Sequence, residues 1–157
     1  RMRGPAVTEE DFRRMLRKIR QQFDFCLLDA PAGLGRGFQL ATCAADRCVV
    51  VTTADASSLR DAQHTVMELD RFPAGALHLV VNRVRKKLLR QLHATIDDAI
   101  DKAGLPLLGV VPEDDALPLC MNRGVPILLA DGQSAATAYR NIAKRLQGER
   151  VPLLRIR

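Results

Sequence analysis

The stretch FDFCLLDAPAGLGRG, residues 23–37, decides the fold of this chain. Residues 23–30 form a short apolar run with the acid Asp29 near its end, and such a run predicts a buried β-strand. Residues 31–37 contain a proline and three glycines, which predict a loop. A carboxylate in this position suits a Mg²⁺ site, and the glycines allow backbone N–H groups to approach a phosphate closely. Taken alone, the same residues also fit a plain turn after a strand.

Apolar runs alternate with helical patterns along the rest of the chain. Further strands are predicted over 47–53, 77–81, 107–111 and 126–129. Helices are predicted from Thr8, over 38–45, after a capping box formed by Ser58 and Asp61, and over 92–103, 116–122 and 135–146. This alternation predicts an α/β fold with a doubly wound, mostly parallel sheet. In such a fold, ligands bind outside the carboxyl ends of the strands.

The composition narrows the class of protein. The 157 residues fit one domain or part of one, and a hydrophobic fraction of 47% is enough for a core. Aromatic residues make up only 4%, which leaves few side chains to stack nucleic-acid bases. The net charge of +6 fits either a solvated basic surface or a surface that binds nucleic acid or anionic lipid. Four cysteines without a C-x-x-C pair favour a reducing compartment over a disulfide framework.

Four motifs occur in a fixed order, each at a predicted strand end. They are LLDAPAG at 27–33, VVVTTADASSLRDA at 49–62, LVVNRV at 79–84 and GVVPED at 109–114. Together these motifs resemble the MinD branch of the MinD/ParA ATPases, which belong to the P-loop NTPase superfamily. The resemblance extends over residues 23–153. It implies a P-loop NTPase fold and an ATP hydrolase that uses Mg²⁺ and acts as an ATP-dependent dimerising switch in placement of the cell-division site.

The resemblance assigns the phosphate end of a nucleotide site to the first motif. Asp29 is implied to be the Walker B-like acid that holds the hydration shell of Mg²⁺. Pro31, Ala32 and Gly33 are implied to form the switch II turn, which senses the γ-phosphate through backbone N–H groups. Asp29 and Gly33 would therefore be the catalytic residues of this chain.

The resemblance assigns the base end to the last two motifs. Asn82 is implied to hydrogen-bond the adenine edge, which suits an amide because it donates and accepts in one plane. Pro112, Glu113 and Asp114 are implied to line the adenine pocket.

Partners follow from the same resemblance. Arg60 and Asp61 are implied to lie near the dimer and partner surface, although a charge pair at a helix start explains them equally well. The complete protein is expected to be cytoplasmic and peripheral at the inner face of the cell membrane. It would form a homodimer when ATP is bound, and would bind an anionic membrane surface and the division-inhibitor and activator proteins of the Min system.

A basic stretch after the third predicted strand keeps a second function open. Its members are Arg83, Arg85, Lys86, Lys87 and Arg90. They form either a solvated loop or a contact to lipid or nucleic acid. The alternative function is a ParA-like, nucleoid-binding partition or flagellar-number ATPase, with nucleic acid the less favoured partner.

The sequence departs from the family at both ends. No K-G-G-x-G-K-[ST] motif is present, and the only comparable glycines, at 33–37, follow Asp29 and lack the Lys-Thr pair. We therefore expect a single partial domain over residues 1–157 that is incomplete at its N-terminus and inactive alone, with strand 23–30 deprived of a neighbour. Residues 151–157 are too few after Pro152 for a useful amphipathic helix.

Overall fold

The computed structural model describes residues 7–85, 104–129 and 134–153. The helix predicted over 92–103 and the basic residues Lys86, Lys87 and Arg90 lie outside these ranges. The chain divides into two compact units, Arg1–Cys48 and Val49–Arg157.

The first unit contains helices α1 (Glu9–Arg20) and α2 (Arg36–Cys43). The predicted start of α1 at Thr8 is confirmed. The Thr8 Oγ1 atom accepts the backbone N–H of Asp11 at 3.1 Å, and the Asp11 carboxylate accepts the backbone N–H of Thr8 at 3.3 Å, which completes a capping box. The side-chain hydrogen bond from Thr8 lowers the pKa of Asp11.

Residues 23–30 do not form the predicted buried strand. Phe23, Phe25 and Leu27 are exposed, Leu27 to 88%. A strand is stable only when a neighbour pairs with its backbone groups, and the described residues provide none beside this segment. The apolar alternation of a strand is present in the sequence, but the burial predicted from it is wrong.

The second unit is built on a sheet with the order β1 (Cys48–Thr53), β2 (Leu77–Val84), β3 (Leu107–Pro112). β2 and β3 are parallel, which confirms the predicted sheet type. Helices α3 (Ala56–Met67), α4 (Ala116–Asn122) and α5 (Ser134–Leu146) accompany the strands. The alternating order of strands and helices is that of an α/β fold.

Two local predictions in this unit are wrong. Residues 126–129 do not form a strand, because Ile127–Leu129 is a 3₁₀ turn in which the Leu129 N–H donates to the Pro126 carbonyl at 3.0 Å. Helix α3 is not capped by a box of Ser58 and Asp61. Its cap is Asp55, whose carboxylate accepts the Ser58 N–H at 2.9 Å, so the helix begins one residue before the two serines.

One buried hydrophobic cluster lies where α5 packs on β3. Ala135, Ala136 and Ala138 are buried there, and their small side chains allow the helix to approach the sheet. At Gly109 the approach is so close that a Cβ atom would lie 2.5 Å from Cγ1 of Ile142. This packing fixes β3 and its carboxyl end, where the base-end residues are found.

Candidate functional site

The carboxyl ends of β2 and β3 bring the base-end residues together. Strand β2 continues to Val84 instead of ending at Val81, so Asn82 lies within the strand. Val81 pairs with Val110 and Val84 pairs with Pro112, which leaves two residues of β2 opposite one residue of β3. This is a β-bulge, a feature that redirects side chains near functional sites.

The bulge consists of Asn82 and Arg83. Arg83 has a φ of 56°, a left-handed conformation that is uncommon for a residue with a side chain. Its backbone N–H donates to Oδ1 of Asn82 at 2.9 Å. A backbone N–H only donates, so the carboxamide of Asn82 must turn its oxygen toward Arg83, which fixes where the NH₂ group lies.

Glu113 joins the two strand ends. Its N–H donates to the carbonyl of Val84 at 2.9 Å. Its carboxylate lies 3.6 Å from Nη2 of Arg83 and 2.9 Å from Nε of Arg85. These ion pairs are largely exposed, so each contributes little to stability alone. Together they connect the bulge of β2 to Glu113 at the end of β3. The sequence signal for these ion pairs is the two arginines two residues apart, but the sequence alone indicates only a basic stretch and does not predict Glu113 as their partner.

Asp114 links the starts of two helices. Its carboxylate accepts the N–H of Ala116 at 3.1 Å, the N–H of Ala135 at 3.1 Å and the hydroxyl of Ser134 at 3.3 Å. Pro112, one residue after the end of the predicted strand, is buried as the last residue of β3. Asp114 thus connects the first residues of α4 and α5. Its role as a lining residue of an adenine pocket stays a prediction.

The phosphate-end residues lie in the first unit. Asp29, Pro31 and Ala32 are exposed. Gly33 has a φ of 84°, where a glycine is needed because other residues are strained. Pro31 packs so closely on Gly37 that a Cβ atom there would overlap its ring. The turn is therefore folded against the first residues of α2.

The turn at Asp29 has the chemical groups that a Mg²⁺ site at a nucleotide requires. Among the described residues, no group of three or more His, Cys, Asp or Glu side chains is placed to hold a metal ion. Mg²⁺ at a nucleotide needs only one or two carboxylates, because waters and phosphates complete its shell. An exposed Asp29 beside a glycine turn meets that requirement.

A hydroxyl network at the carboxyl end of β1 was not predicted. The hydroxyl of Thr53 donates to the Asp55 carboxylate and lies 2.8 Å from that of Ser58, which also donates to Asp55 at 2.8 Å. These hydrogen bonds, the one from Thr53 above all, lower the pKa of Asp55. Arg60 and Asp61 follow on α3 and are both exposed. The available signal was an acid three residues before a serine at a helix start.

Two further observations concern membrane-spanning helices and the two ends of the proposed nucleotide site. In the ranges that the structure describes, no helix combines the length and the apolar character required to cross a bilayer. The turn at Asp29 belongs to the first unit, and Asn82 belongs to the second unit. That both contribute to one nucleotide site therefore stays a prediction.

Comparisons with known proteins identify the family. Residues 2–146 match a ParA-like family model described as "Cellulose biosynthesis protein BcsQ". The septum site-determining protein MinD of Bacillus subtilis is 37% identical over 150 residues, which is 94% of this chain and 56% of that protein.

Two solved structures agree with that match. The MinC:MinD cell division protein complex of Aquifex aeolicus gives a TM-score of 0.87 at 30% identity, over 96% of this chain and 63% of the other. The cell division ATPase MinD of Pyrococcus furiosus gives 0.73 at 25% identity, over 90% and 59%. The chain spans about half the length of the curated MinD relatives it matches. It belongs to the MinD/ParA family of P-loop ATPases.

Proposed function

We propose that the natural full-length protein is a MinD-like ATPase, an ATP-dependent dimerising switch that acts in placement of the cell-division site. The observation that carries the proposal is the hydrogen bond from the Glu113 N–H to the Val84 carbonyl, which joins the carboxyl ends of two adjacent parallel strands two residues after Asn82. That edge is where doubly wound folds bind their ligands. Family membership supports the chemistry, and the similarity to MinD proteins supports the process.

Each part of the proposed site has a defined task. Asn82 binds the adenine edge, and the Pro112–Asp114 segment forms the adjoining wall. Asp29 would hold the water shell of Mg²⁺, and the bound metal would supply positive charge next to the phosphates. The N–H of Gly33 contacts the γ-phosphate. The phosphate-cradling lysines come from outside residues 1–157, which constitute one partial domain and have negligible ATPase activity alone.

The proposal includes partners at two surfaces. The Aquifex aeolicus relative forms a complex with MinC. By analogy, a division-inhibitor protein binds this protein at a surface that includes Arg60 and Asp61, both exposed on α3. The ATP-bound homodimer sits on an anionic membrane at the inner face of the cell membrane, and hydrolysis releases it to the cytoplasm.

ATP hydrolysis by the full-length protein tests the central assignment. Asp29→Ala is expected to reduce Mg²⁺-dependent turnover by about 10- to 100-fold or more, because the metal loses its protein contact. Asp24→Ala is the matched control, since Asp24 is another exposed acid of the same segment and is expected to retain wild-type turnover. Normal turnover in Asp29→Ala would remove the assignment of this residue.

The ParA-like alternative rests on the basic stretch. Two of its members, Arg83 and Arg85, form ion pairs with Glu113, so their charge is partly neutralised and less available to a phosphate backbone. Binding of the full-length protein to duplex DNA and to anionic vesicles, each titrated across salt, separates the two functions. A steep salt-dependent affinity for DNA would favour the alternative, and preference for vesicles would favour the membrane switch.

A further inference from the structure

A second bulge lies near the amino end of β3. Leu79 pairs with Leu107, and the next residue of β2, Val80, pairs with Gly109. The pairing therefore skips Leu108, which is the extra residue of the bulge. A bulge leaves its extra residue without a partner in the hydrogen-bond ladder. Because Leu108 is buried, its carbonyl needs a donor from elsewhere in the chain.

Arg145, in the last turn of α5, supplies that donor and holds a second segment with the same group. Its Nη1 atom donates to the carbonyl of Leu108. Its Nε atom donates to the carbonyl of Val151 at 2.9 Å, and Nη2 donates to the same oxygen. Burial lowers the pKa of the Arg145 guanidinium, so this group is partly removed from water. Hydrogen bonds from a charged donor are strong in such surroundings.

The turn after α5 brings the chain back toward the last turn of the helix. The N–H of Gly148 donates to the carbonyl of Arg145 at 2.9 Å, and the N–H of Glu149 donates to the carbonyl of Lys144 at 3.0 Å. These two bonds form a Schellman motif, which ends a helix and redirects the chain. Residues 148–152 then line a cavity of about 480 Å³ together with the start of β3.

We infer that residues 148–152 are a strap that Arg145 holds closed, and that the strap opens as a local unit when the guanidinium loses its hold. In the closed form the strap ties the end of α5 to the bulge of β3. Opening exposes the cavity and leaves the buried carbonyl of Leu108 without its donor, so the closed form is the stable one. The strap lies near the amino end of β3, whereas the proposed nucleotide residues lie at the carboxyl end, so the strap does not depend on the proposed function.

Two substitutions in the last turn of α5 test the strap in the natural full-length protein. Arg145→Met removes every donor of the guanidinium, whereas Lys144→Met removes an exposed cation one residue earlier and leaves the bonds of Arg145 in place. Both variants remove one positive charge from the carboxyl end of the helix, so their effects on the helix dipole are matched. If Arg145→Met does not fold, Arg145→Lys replaces it, because a lysine keeps the charge but cannot donate to both carbonyls through a fork.

The measurement is the rate at which glutamyl endopeptidase cleaves after Glu149 under native conditions, with the fragments identified by mass spectrometry. This rate follows the population of the open strap. The Arg145 variant is expected to raise it about tenfold or more, since loss of a charged hydrogen bond shifts an equilibrium by about that factor. Lys144→Met is expected to stay within about twofold of the wild type. Cleavage after Glu113, which requires the end of β3 to open, is expected to remain slower than cleavage after Glu149.

Three results would overturn the strap. A folded Arg145 variant that is cleaved after Glu149 at the wild-type rate would show that the guanidinium does not hold the segment. Equal acceleration in Lys144→Met would assign the effect to charge at the helix end. Cleavage after Glu149 and Glu113 at one common rate would show that the segment opens only when the whole unit unfolds.

Discussion

The Asp114 carboxylate accepts hydrogen bonds from the first residues of two helices, α4 and α5. Replacing it with alanine leaves the N–H groups of Ala116 and Ala135 without their acceptor. Since loss of one helix cap costs about 1 kcal/mol, we expect Asp114→Ala to lower the free energy of unfolding by about 2 kcal/mol. Urea denaturation monitored by circular dichroism measures the change.

The neighbouring acid is the control for that experiment. Asp115 is exposed and its side chain makes no capping hydrogen bond to α4. Asp115→Ala is expected to change the free energy of unfolding by less than about 0.5 kcal/mol, as most surface substitutions do. Equal losses in the two variants would show that charge next to the helix, and not the hydrogen bonds of Asp114, stabilises this region.

Asp55 makes stability depend on pH. Hydrogen bonds from Thr53 and Ser58 lower the pKa of its carboxyl in the folded state. The unfolded chain therefore takes up the proton first, so the stabilisation is complete above the unfolded pKa, about 3.9, and is lost as the pH falls toward the lower folded pKa. Thermal melting of Asp55→Asn between pH 6 and pH 3 is expected to show a lower Tm at pH 6 and a shallower decline below about pH 4 than the wild type. Parallel curves for the two proteins would contradict this role.

Asn82, Arg83 and Asp114 show which features of single residues could be predicted from the sequence and which could not. The motif at 79–84 predicts a functional role for Asn82, and the structure places Asn82 in β2, two residues before Val84, whose carbonyl accepts the N–H of Glu113. The argument could not find the left-handed Arg83, because arginine is not a residue type that signals positive φ. Nor could it find the hydrogen bonds of Asp114, whose partners at Ser134 and Ala135 are 20 and 21 residues away.

The contact between β3 and α5 depends on the absence of one side-chain atom. A Cβ at Gly109 would lie 2.5 Å from Cγ1 and 2.9 Å from Cδ1 of Ile142. Gly109→Ala is expected to cost about 1–3 kcal/mol, as overpacking does in other cores. In an Ile142→Ala background both clashing atoms are gone, so the same substitution is expected to cost less than about 1 kcal/mol. A double-mutant cycle from denaturation curves measures the coupling, and additive losses would show that the helix and strand separate without strain.

The secondary structure was predictable where its signals are local. The capping residue Thr8, the apolar periodicity of α5 and the β-branched run of β1 gave elements within a residue or two of the observed bounds. At 23–30 the sequence predicts both an apolar strand and the lack of a neighbour for it, and the segment is exposed rather than buried in a sheet. At 126–129 the apolar run carries no information on whether a neighbouring strand pairs with it, and a 3₁₀ turn forms instead. Strand pairing is a property of the sheet, and it is not encoded in the run itself.

The exposed apolar residues of the first unit have a consequence for the chain in solution. Phe23, Phe25 and Leu27 alternate along an unpaired segment and are 62%, 65% and 88% exposed. An extended apolar segment with free backbone groups is a template for pairing with another chain. We therefore expect the 157-residue chain to self-associate as its concentration rises.

Two lysine substitutions of equal charge test the source of that association. Leu27→Lys places a charge in the alternating row, whereas Met67→Lys places one on α3, where the methionine is 70% exposed outside the row. Sedimentation velocity over a range of concentrations is expected to bring Leu27→Lys toward the 17.4 kDa monomer and to leave Met67→Lys as associated as the wild type. Both variants add the same charge to a chain that already carries +6. A general increase in charge repulsion would therefore reduce self-association equally in both variants. Equal behaviour, or a wild-type chain that stays monomeric throughout, would show that the unpaired segment does not recruit other chains.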